Sequence, residues 1–315
     1  MKKKISVIIP TYNEEGNVKP LYEQIIKVLS ETPYDRELLF IDNCSNDNTL
    51  KKLEKIYLKD KNVTVIVLSR NFGSSQPSYL AGLRESRGEC AVLMDGDLQD
   101  PPEVIKKFIK RWEEGYDVVY GVRVKRKGGF LRRIGYKIFY RIFKFLAYIP
   151  VPLDAGDFSL VDRKVINEMI KISERDYYLR GIRSYVGFKQ IGVPYIRNDR
   201  YRGTSHLPFF GNFYWAKHAI INFSNKPLQV ILPLVLTMAF FSVVSIIIFL
   251  LSYFVGGKKP SGTAIIIIIM FFLSSLQLLS IGIIAEYLMK VFIEVKGRPS
   301  YIIEKIYKHA SKPSK

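Results

Sequence analysis

The sequence is poor in cysteine, histidine and acid. Its two cysteines, Cys44 and Cys90, fall in segments read as a loop and a strand. Their spacing matches neither a metal knuckle nor a redox pair, which excludes a disulfide-built scaffold and fits a reducing compartment. The three histidines, His206, His218 and His309, have no metal-site partner at useful spacing. No Gly-x-Gly-x-x-Gly and no Gly-Lys-Ser/Thr loop occurs, so the usual dinucleotide and kinase-like phosphate cradles are missing. Asp and Glu number 29 against 48 Lys and Arg, and the net charge of +19 implies an anionic partner. That partner is nucleic acid or a phospholipid surface with phosphate-bearing substrates. A secretory leader is also lacking: Met1-Lys2-Lys3-Lys4 leads into only six apolar or small residues before Thr11. The N-terminus is therefore expected to stay in the cytoplasm.

What the chain does have is segregation. At 315 residues it is long enough for about two units. Most charge precedes residue 227, and two uncharged runs follow. Leu228 to Val255 holds 28 residues without a charge, more than the ~20 needed to cross a bilayer, so a tilted span is expected. A polar hairpin, Gly256 to Gly262, leads to a second run from Thr263 to about Ala285, and Glu286 marks its exit. Lys290, Lys296, Arg298, Lys305, Lys308, Lys312 and Lys315 outnumber the hairpin's Lys258 and Lys259. The positive-inside rule then places both large parts in the cytoplasm, as an integral protein of the cytoplasmic membrane with two spans. A buried core-helix pair is the alternative.

Before the runs, strands and helices alternate. Ile5 to Pro10 is apolar and ends in Thr11-Tyr12-Asn13-Glu14, after which Val18, Leu21, Ile25, Val28 and Leu29 keep helical spacing. Glu37 to Ile41 ends in Asp42-Asn43-Cys44-Ser45, followed by a helix from Thr49 to about Leu58. Val63 to Leu68 ends in Ser69-Arg70-Asn71-Phe72-Gly73, and the next helix carries Tyr79, Leu80 and Leu83. The fourth strand, from Cys90, runs out into Asp95-Gly96-Asp97-Leu98-Gln99-Asp100. This rhythm predicts an α/β fold with a doubly wound, mainly parallel sheet whose ligands gather at the carboxyl edge. Asp95 and Asp97, two apart, leave one face of an extended chain, and Gly96 lets another backbone or a phosphate come close. That arrangement suits a hard divalent cation with positions left open for phosphates, although a strand ending in an acidic turn would look similar. Tyr12 suits a base ring, Glu14 ribose hydroxyls and Asp42 a base N–H, each with an ordinary loop residue as the alternative.

Further on, Asp117 to Tyr120 reads as a strand leading to Arg123. Residues 130–149 combine an apolar stripe with Arg132, Arg133, Lys137, Arg141 and Lys144, the signature of a helix lying in a membrane surface. A core helix with a solvated basic side competes with that reading, and a nucleic-acid face is disfavoured by the apolar runs downstream. Val151 to Leu160 is a turn-rich loop holding Asp154 and Asp157. Arg180, Arg183, Arg197, Arg200 and Arg202 stand near glycine and hydroxyl residues, which suits bidentate phosphate capture. Residues 208–227 form a second interfacial, aromatic segment. The expected organisation is a catalytic domain over 1–207, that interfacial helix, a hairpin of spans over 228–289 and a basic cytoplasmic tail over 290–315.

The segments Pro10 to Glu14, Ile41 to Thr49, Ser69 to Gly73 and Asp95 to Pro102 resemble, in order and spacing, the family 2 glycosyltransferases. The polyprenyl-phosphate branch, with bactoprenol glucosyltransferases and dolichyl-phosphate mannose synthase, is most similar. The resemblance implies a GT-A-type fold and inverting transfer from a nucleotide-diphospho-sugar, with UDP-glucose foremost and GDP-mannose or another UDP-sugar open. The acceptor it implies is a polyprenyl phosphate. It assigns Pro10, Tyr12, Glu14, Asp42, Asn43, Arg70, Asp95 and Gly96 to the nucleotide sugar, and Asp95, Asp97 and Gln99 to Mg²⁺ or Mn²⁺. Arg123, Arg133, Arg200, Arg202 and Ser205 are assigned to lipid phosphate, and Asp157 stands with Asp97 as catalytic. The acid matching Asp157 is often taken as a general base, but a lipid monophosphate is already ionised near neutral pH and needs positioning more than deprotonation. One departure is Asn43, where the family usually has a second acid. Two-span members assemble as tetramers. A processive polysaccharide synthase and a noncatalytic lipid-carrier partner are the rival readings.

Overall fold

The computed structural model describes residues 3–124, 155–198, 224, 226–254 and 262–309. The expected interfacial helix over 130–149, nearly all of the one over 208–227, and the hairpin tip 256–261 lie outside these. The chain divides into two compact units, one of residues 1–134, 149–206 and 297–315, the other of 135–148 and 207–296.

The first unit is a sheet between helices. Its elements run β1 (Lys4–Thr11), α1 (Val18–Ser30), β2 (Asp35–Asp42), α2 (Thr49–Lys59), β3 (Val63–Leu68), α3 (Gln76–Glu85), β4 (Cys90–Leu93) and α4 (Val104–Glu113). They continue with β5 (Val118–Arg123), β6 (Ala155–Asp162), α5 (Arg163–Met169), α6 (Leu179–Tyr185), β7 (Gln190–Tyr195) and, after the second unit, β8 (Ile303–Tyr307). The eight strands are ordered β7-β5-β6-β4-β1-β2-β3-β8. The near-continuous apolar runs of β1 to β4 follow from burial on both faces. Alternate residues feed two cores: Ile5, Val7 and Ile9 pack with Leu21, Ile25 and Phe108 on one face, Ile8, Leu39 and Ile41 with Tyr79, Leu80 and Ile182 on the other.

The sheet is mixed rather than simply parallel. β1 pairs in parallel with β2 and β4, β2 with β3, and β5 with β7. β6 runs antiparallel between β4 and β5, and β8 antiparallel to β3. β6 corrects the turn-rich loop expected over Val151 to Leu160: from Ala155 onward the segment is a strand, and its direction is invisible to a periodicity argument, since a strand reads the same either way.

The second departure is at the end of the chain. Residues grouped by sequence into a basic tail supply β8, in register Val65↔Tyr307, Ile66↔Ile306 and Val67↔Lys305. The Tyr307 hydroxyl donates to Glu54 on α2 at 2.5 Å, and the His309 ring stacks on Tyr57 at 4.2 Å. The strand caps what would otherwise be an open edge at β3.

The second unit holds two helices, α7 (Lys226–Phe254) and α8 (Gly262–Lys296). Pro233 sits inside α7, and the Thr237 hydroxyl bonds back to its carbonyl at 2.6 Å. One segment among the described residues, Ile269–Lys296, is long and apolar enough to cross a membrane, and none of its apolar window is buried.

Deleting residues 297–315 should lower the melting temperature of the detergent-solubilised protein by about 5–10 °C, the equivalent of ~2–3 kcal/mol for a domain this size. Thermal unfolding of full-length and shortened chains measures this, and an unchanged midpoint would show that β8 contributes nothing.

Candidate active site

Strand register brings the candidate residues together. β4 lies beside β1 with Ile8↔Leu93, so the chain leaves the sheet next to Thr11 and turns through Asp95 to Asp100. β6 arrives antiparallel with Leu93↔Ser159, which puts Asp157, two residues earlier, just beyond the end of β4. β5 and β7 end together with Arg123↔Tyr195. Carboxylates and arginines from widely separated parts of the sequence thus share one edge. Gly96 lies close against backbone: a Cβ there would stand 2.8 Å from the Pro10 carbonyl oxygen. Leu98, at φ +60°, is a non-glycine residue in the left-handed region, a strained turn of the kind found at working sites.

Each carboxylate of the loop is held by one oxygen. Buried Tyr79 donates its hydroxyl to Asp95 Oδ1 at 2.8 Å. The backbone N–H of Gln99 donates to Asp97 Oδ1 at 3.1 Å. Tyr195 donates to Asp100 Oδ1 at 2.6 Å, and Asp100 is 1 % exposed. The second oxygens of Asp95 and Asp97 face one point, Arg197 Nη2, at 3.8 and 3.7 Å. Arg197 Nε lies 3.4 Å from Asp100 Oδ1. Burial, and then the neighbouring carboxylates of Asp100, Asp97 and Asp157, push the Asp95 pKa up to about 7. Its side chain is 30 % exposed, which leaves solvent to damp that repulsion.

These residues fit a divalent cation of the magnesium type. No group of three or more His, Cys, Asp or Glu side chains with metal-holding geometry occurs among the described residues. Magnesium, however, is commonly held by one or two carboxylates plus substrate phosphates and water, and two converging carboxylate oxygens with a positive charge already drawn between them are that kind of site. Gln99, expected as a third ligand, uses its amide on the Asn198 carbonyl at 3.4 Å.

Asp157 belongs to a second cluster. Arg180 grips it with Nε to Oδ1 at 2.8 Å and Nη2 to Oδ2 at 3.2 Å, and Gln76 adds a bond at 3.3 Å. Burial works to raise its pKa, but Arg180, then Arg183 and Arg123, hold it below the usual carboxylate range. Arg183 is fully buried, with Nη1 3.4 Å from the Gly156 carbonyl and its guanidinium over the Tyr120 ring. Its Nε and Nη2 have no partner among the described residues. Desolvation lowers its pKa to about 10. Arg123 packs flat on Gly156 and reaches Tyr195 at 3.4 Å.

The nucleotide loops are partly self-satisfied. Tyr12 is 39 % exposed and open to a ring. Glu14 accepts from Asn17 and Asp42 from Ser45, through both the side chain and the backbone N–H of that serine. Burial raises the Asp42 pKa. Asn43 donates to Asn71 at 3.1 Å and accepts from the Phe72 N–H at 3.1 Å, tying the second loop to the third. An ionised aspartate could not donate that first bond, which accounts for the departure at this position. Arg70 stacks over Phe72 at 4.1 Å. Arg133, Arg200, Arg202 and Ser205 lie outside the described residues. Sequence reasoning assigns no role to Tyr79 or Asp100, and it takes Arg180, Arg183 and Arg197 as candidates for phosphate capture without linking them to Asp157 or to the Asp95/Asp97 pair. Tyr79 reads as core, whereas the pairs Arg180/Arg183 and Asp97/Asp100, each three apart, were available signals.

A strand-edge site with paired aspartates and an arginine array suits a phosphate-bearing substrate. Comparison with known proteins gives the family. Residues 6–170 match the model of Glycosyl transferase family 2. The chain is 37 % identical over 303 residues to an uncharacterized glycosyltransferase, YkcC, of Bacillus subtilis (strain 168), covering 96 % of this chain and 94 % of that protein. It is 32 % identical over 306 residues to the SfII prophage-derived bactoprenol glucosyl transferase of Shigella flexneri, covering 97 % and 99 %. A prophage bactoprenol glucosyl transferase homolog of Escherichia coli (strain K12) is 30 % identical over 306 residues, covering 97 % and 100 %. The chain belongs to the family 2 glycosyltransferases and is a glycosyltransferase.

Two measurements follow from this geometry. Gly96→Ala should displace both aspartates against the Pro10 carbonyl and reduce transfer at least about 100-fold, checked by initial rates with thermal unfolding as the folding control. Because a raised carboxylate pKa means that Asp95 takes up its proton as pH falls through about 7, Mn²⁺ binding should weaken below that pH, by up to about tenfold per unit. Isothermal titration between pH 5.5 and 8 tests the slope, and a flat profile would place the ionisation elsewhere.

Proposed function

We propose that the enzyme transfers a hexose, with UDP-glucose the favoured donor, onto a polyprenyl phosphate at the cytoplasmic face of a membrane, with inversion and with Mg²⁺ or Mn²⁺. The observation that carries this reading is the convergence of Asp95 Oδ2 and Asp97 Oδ2 on a single cationic position beside the arginine array. The relatives named as bactoprenol glucosyl transferases support the acceptor and the sugar.

The carboxylates of Asp95 and Asp97 would hold the cation, which neutralises the leaving diphosphate. Tyr79 and the Gln99 N–H fix their orientation. Tyr12 would stack on the base. Asp157, ionised and held through both oxygens by Arg180, is a poor proton acceptor. Its part is to fix the arginines: with Arg180 locked to Asp157, the open donors of Arg183 and the guanidinium of Arg123 offer charge and hydrogen bonds to an acceptor phosphate already in its nucleophilic form.

The membrane part rests on topology. β1 to β7 and β8 share one sheet, so the chain that leaves it after β7 must come back on the same side before β8. If α8 crosses a bilayer, an even number of crossings requires α7 to cross as well, which supports two spans; the Lys- and Arg-rich stretch from Lys290 onward supports the cytoplasmic side for the catalytic sheet.

Membranes containing the enzyme, incubated with labelled UDP-glucose, Mn²⁺ and undecaprenyl phosphate, should yield label in the organic phase. Asp97→Ala should abolish it without changing membrane insertion. Transfer from GDP-mannose instead would revise the donor, and undiminished activity of Asp97→Ala would remove the cation from the reaction. Asp157→Asn and Arg180→Gln should each lower kcat by about 10- to 1000-fold, and the double variant by little more than either, because they act as one unit. Multiplying losses in the double variant would break that unit.

A further inference from the structure

Arg197 is held unusually. It follows β7 directly, its side chain is 25 % exposed, and three carboxylates lie within 3.4–3.8 Å of it. Nevertheless its Nε has no hydrogen-bond partner among the described residues, because the 3.4 Å approach to Asp100 has the wrong geometry. A guanidinium presents five donors and normally meets carboxylates through short, paired bonds. Arg180, which does so with Asp157 at 2.8 and 3.2 Å, shows the contrast within the same site. Arg197 is placed by charge and not by complementary fit. The loop explains why: Tyr79 and the Gln99 N–H hold Oδ1 of Asp95 and of Asp97 respectively, and Oδ2 of the two lies 3.8 and 3.7 Å from Arg197 Nη2, around a point suited to a small, dense cation.

We propose that Arg197 is the built-in counter-ion of the Asp95/Asp97 pair, which must give up its place for a divalent cation to bind. The inference rests on the cation reading above and adds that the chain carries its own competitor for that cation. Without Arg197, carboxylates as crowded as these would repel one another and disorder the loop; with it, the loop holds its shape ahead of cation binding, and a cation arriving alone must displace a resident charge. The competition reaches beyond the pair. The Asn198 N–H donates to the Gln99 carbonyl at 2.9 Å and the Gln99 amide returns a bond to the Asn198 carbonyl. Arg197 thus stands one residue before a backbone latch that joins the end of β7 to the aspartate loop.

The test is Mn²⁺ binding alone, with no nucleotide, to the detergent-solubilised full chain, followed by electron paramagnetic resonance. Removing the competing charge in Arg197→Gln should tighten Mn²⁺ binding about fivefold or more. Arg197→Met, which keeps the apolar stem, should do the same. A residue needed only for structure would weaken binding when lost. Unchanged or weaker Mn²⁺ binding in both variants overturns the proposal, provided that Asp97→Asn still abolishes it, which leaves the cation reading intact. Mn²⁺ binding that survives Asp97→Asn overturns both.

Discussion

Everything at this sheet edge depends on how like charges are kept together. Asp95, Asp97, Asp100 and Asp157 converge at the end of β4, and the protein has no means of dispersing their repulsion except by opposite charge and directed hydrogen bonds. It uses two different devices. Around Asp157 the device is permanent: a bidentate arginine, a glutamine and two further guanidinium groups keep the acid ionised and immobile. Around Asp95 the device is incomplete, and the carboxyl is left with a pKa near neutrality. The site is thus divided into a half where the acid is locked by arginines and a half where the acids are only loosely neutralised, a few residues apart in the register of two antiparallel strands.

Much of this was legible in the sequence. The alternation of apolar runs with polar loops located the first four strands and the helices between them, because each strand is buried on both faces and each loop must reach water. The Asp-Gly-Asp signal pointed to the loop at the end of β4, where Asp95 and Asp97 turn their second oxygens toward Arg197. What escaped was whatever depends on strand direction and on pairs distant in sequence. Nothing in Ala155 to Asp162 announces that it runs antiparallel to β4, yet that reversal is what delivers Asp157 to Asp95. Tyr79 carries the apolar bulk of a core residue and hides its function in one hydroxyl. The tail's strand is only five residues long and half charged, and pattern alone leaves it with the basic residues around it.

Asn43 illustrates how local chemistry decides a departure from family habit. The amide both donates and accepts, and it spends those bonds on Asn71 and Phe72 in the neighbouring loop. The second loop is thereby braced against the third without any added charge near an edge that already carries many acids.

The position of β8 has a consequence for biogenesis. A ribosome making this chain emits β1 to β7 first, then the apolar helices, and only after them the strand that closes the outer edge of the sheet. Until β8 emerges, β3 is left with unpaired backbone groups. Final maturation of the catalytic unit must accordingly wait for the helices to be synthesised and for β8 to emerge. A premature stop anywhere downstream of α8 would release a protein whose enzymatic residues are all present but whose sheet has an adhesive flank, prone to association with other nascent chains.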